Sequence, residues 1–426
     1  MTSLPHESLV APDLALFRRP PRFAAPLHVG RPNLGDRATF LRLTEEALDR
    51  LWLTNNGPLV REFEEAVARE TGARHCIAVA NATLGLLLTL KALGVRGEVI
   101  LPSFTFVATA NVVSWLGLTP RFADIDPATG CLDPDHVERL VGEDTGAILG
   151  VHLWGSVCDV DALGEIADRR GIPLVFDAAQ AFAVRHQGRP VGTFGTAEVF
   201  SFHATKVLNT FEGGAITTND DRLANTLSKM RNFGFVGADR VAIDGLNAKM
   251  SEPCAAMGLA SLPGLGDIIA ANRAMDARYR EALAGIPGFK PVPSPAGSNF
   301  HYLVAEVDQA TFGLSRDALL YALHTEGVFA RRYYYPGCHR TAPFQSADTD
   351  PLPVTEAMGR RILQLPTGTS VTADEVDEIA RLVRACHEHA PAIAERLKAA
   401  RPLNFPYQSL AFYEAAMARE GVKVTR

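Results

Sequence analysis

An acid, a hydroxyl and an amine stand at the ends of two short apolar runs in this chain. Pro173-Leu174-Val175-Phe176 runs into Asp177, and Val199-Phe200-Ser201-Phe202 runs into His203-Ala204-Thr205-Lys206. Buried strands of an α/β sheet read as short apolar runs, and ligands bind outside their carboxyl ends. A lysine amine can condense with an aldehyde. A carboxylate can hold a proton on a pyridine nitrogen, and a hydroxyl can donate to a phosphate. Those are the demands of pyridoxal phosphate (PLP). On this reading Lys206 forms the Schiff base and shuttles protons, Asp177 keeps the ring nitrogen protonated, and Ser201 binds the phosphate. Taken without their neighbours, an acid and a lysine at strand ends are more often solvated rim charges than catalysts.

The neighbours add a second signal. Asp177-Ala178-Ala179-Gln180, Gly188-Arg189-Pro190-Val191-Gly192, the run from Phe200 to Lys206, and Glu212-Gly213-Gly214 closely resemble the nucleotide-sugar aminotransferases of the DegT/DnrJ/StrS family. The resemblance runs from about Pro26 to about His389. It implies an α/β fold: the three-layer PLP-dependent aminotransferase fold type I. That fold has a mostly parallel central sheet with helices on both faces, plus a smaller C-terminal α+β domain. The corresponding division is a flexible N-terminal arm (1–25), a large PLP-binding domain (26–285), a small domain (286–390) and a helical extension (391–426) with no family counterpart.

The resemblance also implies roles for single residues. Ala82 and Thr83 match a pair that holds the cofactor phosphate, where spacing alone reads as an ordinary N-cap at Thr83. Phe106 matches the residue that stacks on the cofactor ring, with Phe104 left to the core. Gln180 would contact the oxygen side of the ring. Asn247 matches an asparagine that reaches across a homodimer interface to the partner's cofactor phosphate, where pattern alone reads as a turn. Asn55 and Asn56 would lie at the substrate mouth, and Tyr333, Tyr335 and His339 near the nucleotide sugar. Arg231, Lys249 and Arg331 are candidates by position for the diphosphate.

The elements that must position these residues alternate along the chain. Strand patterns at Cys76–Ala80, Glu98–Pro102 and Ala147–Leu153 are interleaved with helical patterns at Leu84–Leu93, Ala108–Leu116 and Val160–Arg170. Such alternation predicts a parallel-rich sheet. A long helix over Ile268–Ala284 leads to a boundary marked by Pro287, Pro291, Pro293 and Pro295. Beyond it, helices are predicted from Ser315 and from Thr372, and the tail shows helical patterns at Ala392–Ala400 and Ser409–Arg419.

Composition bounds the function. The chain has 426 residues, 47% hydrophobic, and a formal net charge of −6, so no basic surface points to nucleic acid. Apolar runs are too short for a membrane span, and the N-terminus lacks a signal-peptide core, so a cytoplasmic protein is expected. Six scattered cysteines read as reduced thiols, with no metal site. His152 reads as a satisfied core histidine. The implied activity is a two-stage transamination through pyridoxamine phosphate, from an amino acid donor, glutamate favoured, to a keto sugar nucleotide. The favoured acceptor is dTDP-4-keto-6-deoxyglucose, giving dTDP-4-amino-4,6-dideoxyglucose. The alternatives are a 3-keto sugar nucleotide, an inosose-type cyclic ketone, or a non-catalytic PLP-binding sensor. A dehydratase of this family would carry histidine in place of Lys206.

Overall fold

A computed structural model describes residues 11–17, 19–345 and 350–398. Seven strands form the central sheet: β1 (His75–Val79), β2 (Glu98–Pro102), β3 (Thr119–Ala123), β4 (Thr145–Val151), β5 (Leu174–Asp177), β6 (Ala197–Ser201) and β7 (Gly214–Thr218). Their order is β1-β7-β6-β5-β4-β2-β3. All neighbours are parallel except β7, which runs antiparallel to β1 and to β6. Side chains alternate across a strand. Accordingly Phe176 and Phe200 enter one core cluster, and Val175 and Val199 enter another on the opposite face. That two-sided burial explains why β5 and β6 read as unbroken apolar runs.

Helices cover both faces: α1 (Arg37–Asp49), α2 (Pro58–Thr71), α3 (Ala82–Ala92), α4 (Val107–Trp115), α5 (Val160–Arg170), α6 (Glu252–Ser261) and α7 (Leu265–Ala282). The long helix expected from Ile268 begins at Leu265 and joins α6 through a 3₁₀ turn at Leu262–Gly264. By length and composition alone, Glu252–Ala282 is apolar enough to cross a membrane. In the fold, α6 packs on α1 and α2.

A second, three-stranded antiparallel sheet is built from β8 (Phe289–Pro291), β9 (Leu303–Val307) and β10 (Ile362–Leu365). It shares a separate core with α8 (Arg316–Thr325), α9 (Ala373–Glu388) and α10 (Ala390–Lys398). Ser315 and Thr372 cap α8 and α9 as their sequence suggests, Thr372 in a full capping box with Glu375. The N-terminal arm, expected to be flexible, is packed where it is described. Leu14 is buried in this second core, and Ala15 N donates to Glu326 Oε1 at 2.6 Å. The first helical pattern of the tail is α10, and Ser409–Arg419 lies outside the described residues.

Candidate active site

Asp177 closes β5 and Lys206 lies just beyond β6, and these strands are parallel neighbours, so both residues emerge at the same sheet edge. The Asp177 carboxylate is buried. Thr109 Oγ1 donates to its Oδ2 at 2.8 Å, and Ala179 N donates to its Oδ1 at 3.1 Å. Burial raises the Asp177 pKa, while those two bonds and the Lys206 charge pull it back. Burial also lowers the Lys206 amine to about 8, against the pull of Asp177. Each group thus feels the other's charge across neighbouring strand ends.

The anion-binding edge follows from register. Gly214 pairs with both Val79 and Ser201, so the ends of β1 and β6 meet at the start of β7. α3 begins immediately after β1. Its N-cap is Asn81, whose side chain accepts from Leu84 N at 2.9 Å, and not Thr83 as spacing suggests. Ala82 and Thr83 are therefore the first two helical residues, and their N–H groups have no intrahelical partner. A Cβ on Gly214 would stand 2.7 Å from Ala82 N, so only glycine lets these two backbones approach. A helix N-terminus of this kind favours a phosphate.

The loop before α4 separates its two aromatics. Phe104 is 1% exposed and packs edge-on against Trp154 and Tyr334. Phe106, at the N-cap of α4, is 60% exposed, and its ring is open to a ligand. A buried carboxylate, an amine of lowered pKa, an open helix N-terminus and an unpacked aromatic face together fit a flat phosphorylated pyridine. The Gln180 side chain is partly engaged: its Oε1 accepts from Trp154 N at 3.0 Å, and its Nε2 donates to Tyr334 OH at 2.6 Å. One N–H of that amide is left for a ligand.

Several residues expected at the substrate side already have partners within the chain. His339 is buried, with Nδ1 2.5 Å from Ser103 Oγ and Nε2 3.4 Å from Glu356 Oε1. Both ring nitrogens have partners, and the Ser103 contact ties the aromatic loop to the end of β2. Asn56 Oδ1 accepts from Arg231 Nη2 at 2.9 Å, so that side chain is a loop anchor. Arg231 itself is buried, pairs with Glu64, and donates to Ala78 O at 2.9 Å. Lys249 Nζ lies 4.4 Å from the centre of the Phe233 ring. Asn55 is exposed at φ 62°, a conformation asparagine tolerates.

Among the three tyrosines, Tyr334 and not Tyr333 or Tyr335 bonds to Gln180. Tyr333 OH lies 3.5 Å from Arg331 Nη1 and its ring packs on Tyr334. Tyr335 is exposed and flanked by the guanidinium groups of Arg332 and Arg316, at 4.8 and 5.5 Å from its ring. Asn247 is exposed, and Ala248 O beside it accepts from Ala80 N at 2.8 Å, next to the turn that starts α3. His152 is satisfied in the core, with Nε2 3.0 Å from Glu198 Oε1 and Nδ1 accepting from Cys158 N at 3.2 Å.

Thr109 and Tyr334 are the contributors that the sequence reading missed. For Thr109 the sequence offers only a second threonine four residues before it, Thr105, which lies just ahead of α4 and whose hydroxyl bonds to that of Thr109 at 2.9 Å. For Tyr334 there was none, since three adjacent tyrosines look alike.

Known proteins resemble this chain in sequence and in fold. A family model described as the DegT/DnrJ/EryC1/StrS aminotransferase family matches residues 36–384. The chain is 34% identical over 363 residues to a dTDP-4-amino-4,6-dideoxy-D-glucose transaminase of Escherichia coli, covering 83% of this chain and 97% of that protein. It is 36% identical over 340 residues to a GDP-perosamine synthase of Caulobacter vibrioides, covering 78% and 91%. Among solved structures, DesI in the presence of its TDP-sugar product superposes with a TM-score of 0.88 at 48% identity, covering 91% of this chain and 99% of that one. PseC of Helicobacter pylori, an aminotransferase of pseudaminic acid biosynthesis, gives 0.80 at 28% identity, covering 85% and 99%.

Proposed function

We infer that this chain, which belongs to the DegT/DnrJ/EryC1/StrS aminotransferase family, is a PLP-dependent aminotransferase that moves an amino group from an amino acid to a keto sugar nucleotide. The acceptor on this reading is dTDP-4-keto-6-deoxyglucose and the donor L-glutamate, in the cytoplasm. The observation that carries the chemistry is the placement of buried Asp177 at the end of β5 and of Lys206 just beyond its parallel neighbour β6, near enough for each charge to act on the other. The name of the relative at 34% identity, a dTDP-4-amino-4,6-dideoxy-D-glucose transaminase, supports the sugar.

When bound, PLP supplies an electron sink for the pair left behind when a proton leaves the donor's α-carbon, and it carries the amine between the two half-reactions. Lys206 Nζ takes that proton and returns it, because a pKa of about 8 leaves part of the amine neutral near neutral pH. Asp177 holds a proton on the ring nitrogen, and Thr109 and Ala179 fix the carboxylate's orientation. Ala82, Thr83 and Ser201 are assigned to the phosphate, Phe106 to the ring face, and Gln180 to the ring oxygen. Asn55, Tyr333 and Tyr335 are assigned to the sugar side by family position.

A second copy of the chain completes the site on this reading. Leu41, Leu48, Leu51, Trp52 and Leu53 on and after α1 are exposed, as are Phe233, Phe235 and Leu246. The Asn56–Arg231 bond joins these two apolar stretches. Exposed apolar residues on two bonded stretches suit a homodimer interface, and Asn247, next to Leu246, is assigned to the partner's cofactor phosphate.

The test is a panel of ketones offered with PLP and glutamate: dTDP-4-keto, dTDP-3-keto and GDP-4-keto sugars, and an inosose. Products are scored by mass and by the position of the new amine. Amination at C4 of the dTDP sugar is expected. Turnover confined to another member would overturn the sugar assignment, and failure to convert the cofactor with glutamate would overturn transamination.

A further inference from the structure

Two carbonyls flank Lys206, and each is gripped by a side chain from a distant part of the chain. His301 Nε2 donates to Thr205 O at 2.9 Å, and Asn33 Nδ2 donates to Val207 O at 3.2 Å. Both gripping residues are buried, His301 at 5% exposure and Asn33 at 2%. Asn33 is itself oriented, because Thr369 Oγ1 donates to its Oδ1 at 2.8 Å and Asn209 Nδ2 donates to its carbonyl at 3.2 Å. With the oxygen occupied, the amide N–H is directed at Val207. Gly30, at φ +78°, lies so close that an added Cβ would stand 3.0 Å from Thr205 Cβ. The segment from Gly30 to Asn33 therefore runs along the lysine loop.

The far ends of these contacts converge. His301 precedes β9 and Thr369 follows β10, and the pairing of Leu303 with Leu365 brings those two strand ends together. One end of the small sheet thus holds the lysine-bearing loop of the large one. His301 also keeps a buried Nδ1 with no partner among the described residues. An unpaired polar atom in the interior is unfavourable, so packing gives no reason to place an imidazole there. The bond to Thr205 does. Burial and the Lys206 charge hold His301 down at about 4, so the ring stays neutral and its donor is present throughout the neutral range.

We propose that His301, Asn33 and Thr369 form a positioning clamp that fixes Lys206 and ties its placement to the small sheet. The three act through the backbone of the lysine loop. The proposal rests on Lys206 being the cofactor-binding amine and is independent of which sugar is aminated.

The test uses conservative pairs. Thr369→Val removes the hydroxyl and keeps the shape, and Thr369→Ser keeps the hydroxyl. His301→Leu removes the donor, and His301→Gln retains one. In cofactor-free protein, Lys206 is methylated with formaldehyde and cyanoborohydride across pH, and its peptide is quantified by mass spectrometry. In Thr369→Val and His301→Leu the midpoint of Lys206 modification should rise by about half a pH unit or more as water reaches the loop. In the same variants kcat should fall about 3- to 10-fold with the donor KM little changed. Thr369→Ser and His301→Gln should stay near wild type. A Thr369→Val protein with unchanged midpoint and kcat overturns the clamp, as does a Thr369→Ser protein equally impaired. The labelling is read without substrate, so it decides the clamp even if no ketone in the panel is turned over.

Discussion

At Lys206, surroundings matter more than residue type. Desolvation lowers the amine to about 8, and Asp177 opposes it by favouring the charged form. Only the neutral amine attacks an aldehyde. The rate at which cofactor-free protein combines with PLP should therefore climb with pH and level off near 8, measured by absorbance after a pH jump. A plateau nearer the ordinary lysine value of 10.5 would show that burial does not act on the amine. The same shift bears on stability. The folded-state pKa lies below the unfolded one, so this lysine destabilises the cofactor-free fold below pH 8, and the penalty fades as pH rises from there toward 10.5.

The loop ahead of α2 depends on a contact that spans much of the chain. Gly57 is the N-cap of α2 and has no side chain to offer. Leu59 N and Val60 N instead donate to the buried carboxylate of Glu252, at 2.9 and 3.1 Å. A carboxylate at a helix N-terminus satisfies orphan donors and meets the positive end of the dipole. Glu252→Ala should strand both donors and cost about 2–4 kcal/mol. The expected signature is a lower urea midpoint with an unchanged m-value. A loss below about 0.5 kcal/mol would mean that water replaces the carboxylate. Within α3, by contrast, the cap is local, and Asn81 is adjacent in sequence to the residues it helps place.

For the whole molecule, the homodimer reading turns on which copy supplies Asn247. Mixing Lys206→Ala subunits with Asn247→Asp subunits tests it. If Asn247 acts across the interface, a mixed dimer regains one intact site, so activity should rise from near zero toward about a quarter of wild type for random assortment. No recovery, with mixed dimers shown by native mass spectrometry, would place Asn247 in its own subunit's site. How much of this molecule could be read in advance divides along the same line of distance. The apolar runs before Asp177 and Lys206, the caps at Ser315 and Thr372, and the strand–helix alternation are local, and hydrophobic periodicity and capping chemistry are written in adjacent residues. Arg231 and His339 carry the same charge or ring in the sequence whether they face a ligand or a buried partner. Only the folded chain, by setting Arg231 against Glu64 and His339 against Ser103, shows the buried partners they take. Thr109 on Asp177, and His301 and Asn33 on the lysine loop, are likewise contacts between segments far apart in sequence. Residue types and local spacing settled which chemistry was possible, and tertiary packing decided which side chains were left to do it.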